Sequence, residues 1–99
     1  MNISYTDTLN LISVFNFKLL FTKHGSAQTR IYVTHDGKKL NDNKVIAGQR
    51  KERIEAGYLS DRTKGCIVSA FANVLEFYPM YKELAKKWLH YHYIDETMI

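Results

Sequence analysis

The sequence has few of the residues that indicate a cross-linked, extended or membrane-spanning chain. Its 99 residues include one cysteine, one proline and five glycines. One cysteine cannot form a disulfide within the chain, and so little proline and glycine excludes a long linker or a low-complexity tract. The most apolar stretch, residues 9–21, is interrupted by Asn10, Ser13, Asn16 and Lys18, which is too polar for a membrane span. With no secretory signal pattern at the N-terminus, we expect a cytoplasmic protein that does not contact a membrane.

Acidic residues are also scarce relative to basic ones. The chain has 14 Lys and Arg against 10 Asp and Glu, a net charge of +4. This balance excludes a carboxylate-rich mimic of DNA, and it permits contact with nucleic acid or an acidic protein surface without requiring it. Hydrophobic residues, by contrast, make up 45% of the chain and aromatic residues 13%. That composition indicates one folded domain spanning residues 1–99.

The first part of the sequence predicts a short helix followed by a β-hairpin. Thr6 or Asp7 can cap an N-terminal helix, because each offers a side-chain oxygen to the free N–H groups of a first turn. From residue 15 apolar and polar residues alternate with the period of a strand, and Gly25 then supplies a turn. We therefore predict a β-hairpin over about residues 15–35.

The second part predicts three helices. Lys44–Ala56 carries a thin apolar stripe and a charged face, and Gly57 is well placed to end that helix. Cys66–Phe77 is apolar on nearly every side, which is typical of a helix buried in the middle of a fold. Pro79 fits the first turn of a last helix that extends to about Tyr93. Together with the hairpin, these elements predict an α+β fold in which residues 66–77 form the buried central helix.

Cys66 is the clearest candidate for chemistry. It opens the predicted central helix, and the partial positive charge at a helix N-terminus stabilises a thiolate. Arg62 and Lys64 would add to that effect. Cys66 is therefore a candidate catalytic nucleophile. The alternative is a small buried hydrophobic side chain, which composition alone favours by about two to one.

The stretch DRTKGCIVSAFAN, residues 61–73, resembles the nucleophile segment of papain-like cysteine hydrolases found among phage proteins. Those segments read roughly as Asp or Gly, Cys, two β-branched residues, a variable residue, Ala, an apolar residue, Ala and Asn, and an aromatic-rich helix follows. The resemblance covers about residues 58–88 and implies that Cys66 is the nucleophile. The family's catalytic histidine lies well downstream on a strand, whereas His90 and His92 here lie in a predicted helix. The resemblance thus implies a shared local fold more than a retained activity.

The same two histidines are not predicted to bind a metal ion. Their side chains point about 200° apart on a helix, and the sequence offers no further cysteine or histidine at ligand spacing nearby. We therefore predict no metal site and no cofactor.

Basic and aromatic residues suggest binding surfaces. Arg50, Arg53 and Lys64 could contact phosphates, and Tyr58 could stack on a base. The alternative, a solvated helix face, is favoured by about three to one.

Seven tyrosines, five phenylalanines and one tryptophan are many to bury in a chain of this length. We expect Tyr91 and Tyr93, and also Tyr5, Tyr32 or Tyr58, to remain exposed, as tyrosines often do at binding surfaces. The alternative is that they shield a small core.

Three functions follow as hypotheses. The first is a small non-enzymatic protein-binding module, a phage-type accessory or inhibitor protein that acts on a host protein or protein complex, for example in defence, as anti-CRISPR proteins do. If phage-encoded, it would act in the host cytoplasm, and a homodimer would fit equally well. The predicted binding residues are Tyr58, Arg50, Arg53, Arg62, Lys64, Tyr91 and Tyr93. The second is a cysteine hydrolase that uses Cys66, and the third is a nucleic-acid binder that uses Arg50, Arg53 and Lys64.

Overall fold

A computed structural model describes residues 17–42, 45–97 and 99 of the chain. These residues form a four-stranded antiparallel sheet and three helices, which confirms the α+β class. The strands are β1 (Phe17–Lys23), β2 (Thr29–His35), β3 (Lys38–Lys39) and β4 (Val45–Ala47). The helices are α1 (Lys51–Glu55), α2 (Asp61–Phe77) and α3 (Lys82–Tyr91), with a short 3-10 helix (Pro79–Tyr81) before α3. The predicted N-terminal helix lies outside the described residues.

The central strand of the sheet is β2. β1 pairs with it along its whole length, from Phe17 opposite His35 to Lys23 opposite Thr29, and this is the predicted hairpin. β3 and β4 share the other edge of β2, because β3 pairs with its end and β4 with its start. Neither of these two short strands was expected from the sequence.

Asn41 fills the gap between β3 and β4. Its Oδ1 accepts a hydrogen bond from the backbone N–H of Val33 at 2.8 Å, and its Nδ2 donates to the carbonyl oxygen of Ile31 at 3.3 Å. The backbone N–H of Leu40 donates to the Val33 carbonyl at 2.9 Å. Because a buried backbone group without a partner is costly, the Asn41 side chain takes the place of a strand where the two short strands separate.

The predicted helix over Lys44–Ala56 is wrong in its first half. Val45–Ala47 form β4, and the helix is limited to α1. Val45 and Ile46 are β-branched, and pairing with the central strand outweighs the helical pattern of their neighbours. The end of this helix agrees with the prediction, since Gly57 follows its last turn with a φ of +93°.

α2 begins at Asp61 rather than at Cys66. Ser60 is its N-cap, and the Ser60 hydroxyl oxygen accepts a hydrogen bond from the backbone N–H of Thr63 at 3.1 Å. The polar residues before Cys66 therefore form a cap and a first turn instead of a break. The helix is buried along one face and not on all sides, since Ala72 and Phe77 are exposed.

The core lies between the sheet and one face of α2 and α3. The Phe71 ring of α2 packs edge-on against Phe17 at 5.9 Å and lies 5.0 Å from the Trp88 ring of α3. Trp88 Nε1 also donates a hydrogen bond to the carbonyl oxygen of Phe17 at 2.9 Å, which fixes α3 to the start of β1. None of the helices within the described residues has the length and apolar character of a membrane span.

Candidate functional site

Cys66 lies within α2, where it is half-buried against β4. Its Sγ donates a hydrogen bond to the carbonyl oxygen of Ile46 at 3.4 Å. Burial raises the pKa of the Cys66 thiol, and the nearby Arg62 guanidinium, which lowers it, only partly opposes this effect. A neutral thiol in this place packs α2 against the sheet, whereas a nucleophile requires an environment that favours the thiolate.

The histidines of the chain lie away from Cys66. The ring of His24 hydrogen-bonds to an arginine of β2, and the ring of His35 stacks on a tyrosine of the 3-10 helix. His90 and His92 lie at the end of α3, where they contact a glutamate and the Trp88 ring respectively. Within the described residues no histidine hydrogen-bonds to Cys66, and no three potential metal ligands come together. Within the described residues, the hydrogen-bond partner of the sulfur is a backbone carbonyl and not the imidazole that a cysteine–histidine pair requires.

The predicted basic residues separate into two groups. An open groove, here called the basic groove, lies at the hairpin end of the sheet beside α1. Its lining residues are Lys23, Ser26, Ala27, Gly48, Gln49, Arg50, Glu52 and Arg53. Arg50 and Arg53 therefore lie on one surface, together with Lys23, which the sequence did not single out. Lys64 lines a different groove, formed by α2 and the segment after α3.

Arg62 and Tyr58 lie at the margin of the basic groove. The Arg62 guanidinium packs beside Gly48, where a Cβ would lie in ordinary van der Waals contact with it, 3.5 Å from Arg62 Nη1. Tyr58 is 63% exposed, and the guanidinium of Arg53 lies 5.6 Å from its ring centroid. Lys23 forms an ion pair of 3.0 Å with Glu52, which offsets part of the positive charge.

The tyrosines predicted to be exposed follow the prediction with one correction. Tyr58, Tyr91 and Tyr93 are all exposed, and Tyr93 most of all at 90%. Tyr32 is instead buried, because it lies on the central strand, where its cross-strand partner is Leu20 and the Lys39 ammonium lies 4.3 Å from its ring centroid. The remaining candidate, residue 5, is outside the described residues.

Sequence reasoning missed a second groove, which runs along β1 on the helix side of the sheet and is here called the apolar groove. Its volume is about 660 Å³, and its lining residues are Phe17, Lys18, Leu19, Phe21, Ile54, Glu55, Gly57, Leu59, Ile67, Trp88, His92 and Ile94. It is open because α2 packs on β2 and β4, which leaves the β1 side to the short α1 and the end of α3. The alternation of Phe17, Leu19 and Phe21 was the one sequence signal that indicated this surface.

The outer edge of β1 borders the apolar groove. In an antiparallel pair, alternate residues direct their N–H and C=O groups toward the partner strand. The bond from His24 N to Gln28 O continues the β1–β2 register, so the even-numbered residues of β1 face β2. Leu19, Phe21 and Lys23 therefore direct their backbone groups outward. Within the described residues no strand pairs with that edge.

Comparisons of the chain with protein-family models, with curated proteins and with solved structures find no match. The resemblance of residues 61–73 to phage cysteine hydrolases therefore stays a prediction. Support for a function comes from the geometry of the two grooves and of the β1 edge.

Proposed function

We propose that the protein is a small non-enzymatic protein-binding module, and that its binding surface is the outer edge of β1 together with the apolar groove. One observation carries this proposal: a strand edge with outward-facing N–H and C=O groups runs beside a groove lined by apolar side chains. An extended protein segment can add to such an edge as a further strand. Its main chain then hydrogen-bonds to the edge, and its alternate side chains enter the groove.

The dimensions of the edge suit this mode of binding. Trp88 Nε1 occupies the outward carbonyl of Phe17, so the free edge runs over residues 19–23 of β1. That part corresponds to about 17 Å of strand at about 3.3 Å per residue. On the helix side, every second side chain of an added strand would lie over the groove, whose lining includes Ile54 and Leu59. Apolar side chains at those positions would be removed from water, which is the main favourable contribution to such an association.

The half-buried, hydrogen-bonded state of Cys66 also supports a non-enzymatic protein. Its raised pKa keeps the thiol neutral at physiological pH. A phage-type inhibitor that blocks a host system, for instance in defence, would need a binding surface of this kind and no catalytic group. The phage-type role itself is a prediction, and its support is the local resemblance of residues 61–73.

Peptide selection followed by nuclear magnetic resonance would test the proposal. Extended peptides are selected from a random display library on the immobilised protein, and the bound peptide is mapped by amide and methyl chemical shifts. We expect shifts at the amides of Leu19 and Phe21 and at the methyl groups of Ile54 and Leu59. A peptide that shifts only residues outside this surface would contradict the proposal.

Two variants at one position separate the role of the backbone from that of the side chain. Phe21→Pro removes an outward-facing N–H that makes no bond to β2, and proline is tolerated on edge strands. It should abolish peptide binding, whereas Phe21→Leu, which keeps both the N–H and an apolar side chain, should retain it. Met80→Ala, at an exposed apolar residue that does not line the groove, is the control and should bind as the wild type does. Equal binding by the proline and leucine variants would count against strand addition.

A second function, nucleic-acid binding, is favoured by the basic groove. There Arg50 and Arg53 lie together on one open surface, and Tyr58 offers an exposed ring beside Arg53. Cationic grooves with an aromatic platform bind single-stranded nucleic acid by phosphate contacts and base stacking. The separation of Lys64 from this groove removes it from the predicted phosphate contacts.

Fluorescence anisotropy with labelled single-stranded DNA and RNA at several salt concentrations would test this second function. Each phosphate contact contributes about −0.7 to the slope of log K against log salt for a single strand. Arg50→Ala and Arg53→Ala should each weaken binding and make the slope shallower by about that amount. Lys87→Ala removes the same charge from an exposed position on α3 and should change the slope little. Salt-independent binding, or equal effects of all three variants, would exclude the basic groove.

A further inference from the structure

We infer that the segment that adds to β1 carries acidic residues at the end beside Lys23, next to the apolar residues that enter the apolar groove. The occupant of this edge is thus an extended segment of another protein, apolar along one part and acidic along the next. This inference rests on the proposed function, because it states the chemistry of the segment that the same edge binds.

The apolar groove and the basic groove are successive parts of one surface along β1. Phe21 lines the apolar groove, and Lys23, two residues further on and therefore on the same face of the strand, lines the basic groove. α1 borders both, since its Arg53 lines the basic groove and the neighbouring Ile54 lines the apolar groove. A strand that pairs with residues 19–23 of β1 therefore leads from the apolar groove into the basic groove.

The two grooves differ in charge. Three basic side chains and one acidic side chain line the basic groove, which gives it a formal charge of +2: Lys23, Arg50, Arg53 and Glu52. The apolar groove has one lysine and one glutamate, whose charges cancel. In the part of the chain that the structure describes, Glu52 pairs with Lys23, whereas the exposed Arg50 and Arg53 form no ion pair. Two guanidinium groups are thus available to carboxylates of a partner, which arginine binds with well-matched geometry.

Pairing with the edge determines which positions of the segment carry each chemistry. Residues directly opposite each other on paired strands have their side chains on the same face of the sheet. The residues opposite Leu19 and Phe21 therefore enter the apolar groove, and the residue opposite Lys23 lies beside its ammonium group. An acidic residue makes a favourable cross-strand pair there, whereas a basic residue makes an unfavourable one. The residues beyond it continue into the basic groove, toward Arg50 and Arg53.

Titration with matched synthetic peptides would test this chemistry. One peptide joins an alternating valine–threonine stretch to three glutamates, and its match has glutamines in their place. Each is made with these residues at either end, because an added strand can run in either direction. An exposed ion pair strengthens binding by up to about fivefold, so pairs with the two arginines should make the better glutamate peptide bind about tenfold more tightly than its match in dilute buffer. The ratio should fall toward one at about 1 M salt, where the Debye length is about 3 Å. Equal affinities in dilute buffer would overturn the inference.

Protein variants would show whether the basic groove causes this preference. Arg50→Gln and Arg53→Gln should each reduce the tenfold ratio to about threefold, because each removes one of the two ion pairs. Lys87→Gln removes the same charge from an exposed position on α3 and should leave the ratio unchanged. An equal reduction by all three variants would assign the preference to the net charge of the protein and overturn the inference.

Nuclear magnetic resonance distinguishes this result from the alternatives. The glutamate peptide should shift the Leu19 and Phe21 amides together with the Nε–H groups of Arg50 and Arg53. If the two peptides shift those amides with equal affinity, the proposed function stands and this inference fails, and if neither peptide shifts them, both fail. Shifts of the same amides on concentrating the protein without peptide would assign the edge to a second copy of the chain. An oligothymidylate that binds more tightly than the glutamate peptide, with the same dependence on both arginines, would assign the basic groove to nucleic acid. Either of these last two results would overturn the inference.

Discussion

Replacement of Asn41 by alanine should destabilise the fold more than its place in a polar loop segment suggests. The Asn41 side chain is buried and bonds to two backbone groups of the central strand, the Val33 N–H at 2.8 Å and the Ile31 carbonyl at 3.3 Å. A buried backbone group left without a partner costs about 1–3 kcal/mol. The Ile31 carbonyl also faces β4, where Ile31 pairs with Val45, so only the Val33 N–H loses its sole partner. Asn41→Ala should therefore lower the free energy of unfolding by about 2 kcal/mol, the middle of that range.

That loss is large for a chain of this size. Domains have free energies of unfolding of about 0.05–0.15 kcal/mol per residue, and a change of 1 kcal/mol shifts Tm by about 4–8 °C in domains of this size. We therefore expect Asn41→Ala to lower Tm by about 8–16 °C, measured by circular dichroism, with a matching decrease in the urea midpoint. Asp42→Ala, at the exposed neighbouring side chain, is the control and should stay within about 0.5 kcal/mol of the wild type. A loss below about 1 kcal/mol for Asn41→Ala would refute the role of this side chain in the sheet.

Three further predictions follow from single residues. Tyr93 is 90% exposed and has a φ of +59° just after α3, a backbone conformation that is strained for a residue with a Cβ and not for glycine. Tyr93→Gly should therefore raise the free energy of unfolding by about 0.5–1 kcal/mol in urea denaturation, and a loss of stability would contradict this. Burial raises the pKa of Cys66, so iodoacetamide should label the native protein only at higher pH than the urea-unfolded protein, and identical labelling profiles would show that the thiol is not buried. The stability linked to this thiol is present below its unfolded pKa and is lost as the pH rises through its folded pKa. Burial lowers the pKa of His92, so its contribution to stability is present above about pH 6.5 and is lost as the pH falls through the folded pKa. His92→Gln should therefore flatten the decrease of the urea midpoint between about pH 7 and 5, and an unchanged decrease would show that other groups cause this decrease.

Local signals predicted those parts of the fold that depend on nearby residues. Alternation and a glycine turn predicted the β1–β2 hairpin, Gly57 marked the end of α1, and Pro79 marked the start of the last helical segment. β4 could not be predicted in this way, because Val45 and Ile46 form a strand only through pairing with β2, which lies far away in the sequence. The early start of α2 did have a local signal, since Ser60 is a good N-cap, but the polar residues that follow it resembled a loop.

The binding surfaces were harder to predict than the elements that form them. Arg50 and Arg53 lie close together in the sequence and share a groove, whereas Lys64 lies on another helix face and does not join them. The edge of β1 has no local signature at all. Whether a strand lies at the edge or in the middle of a sheet depends on the order of strands, and the outward direction of the Leu19 and Phe21 backbone groups depends on the register with β2.

Amide hydrogen exchange along β1, measured with and without a selected peptide, tests the central claim most directly. The amides of Leu20 and Thr22 bond to β2, so they should exchange slowly in both states. The amides of Leu19 and Phe21 face outward, so they should exchange rapidly in the free protein and become protected when a selected extended peptide adds to β1. Rapid exchange of Leu19 and Phe21 at saturating peptide would contradict pairing at this edge, and equal protection of all four amides in the free protein would contradict a free edge.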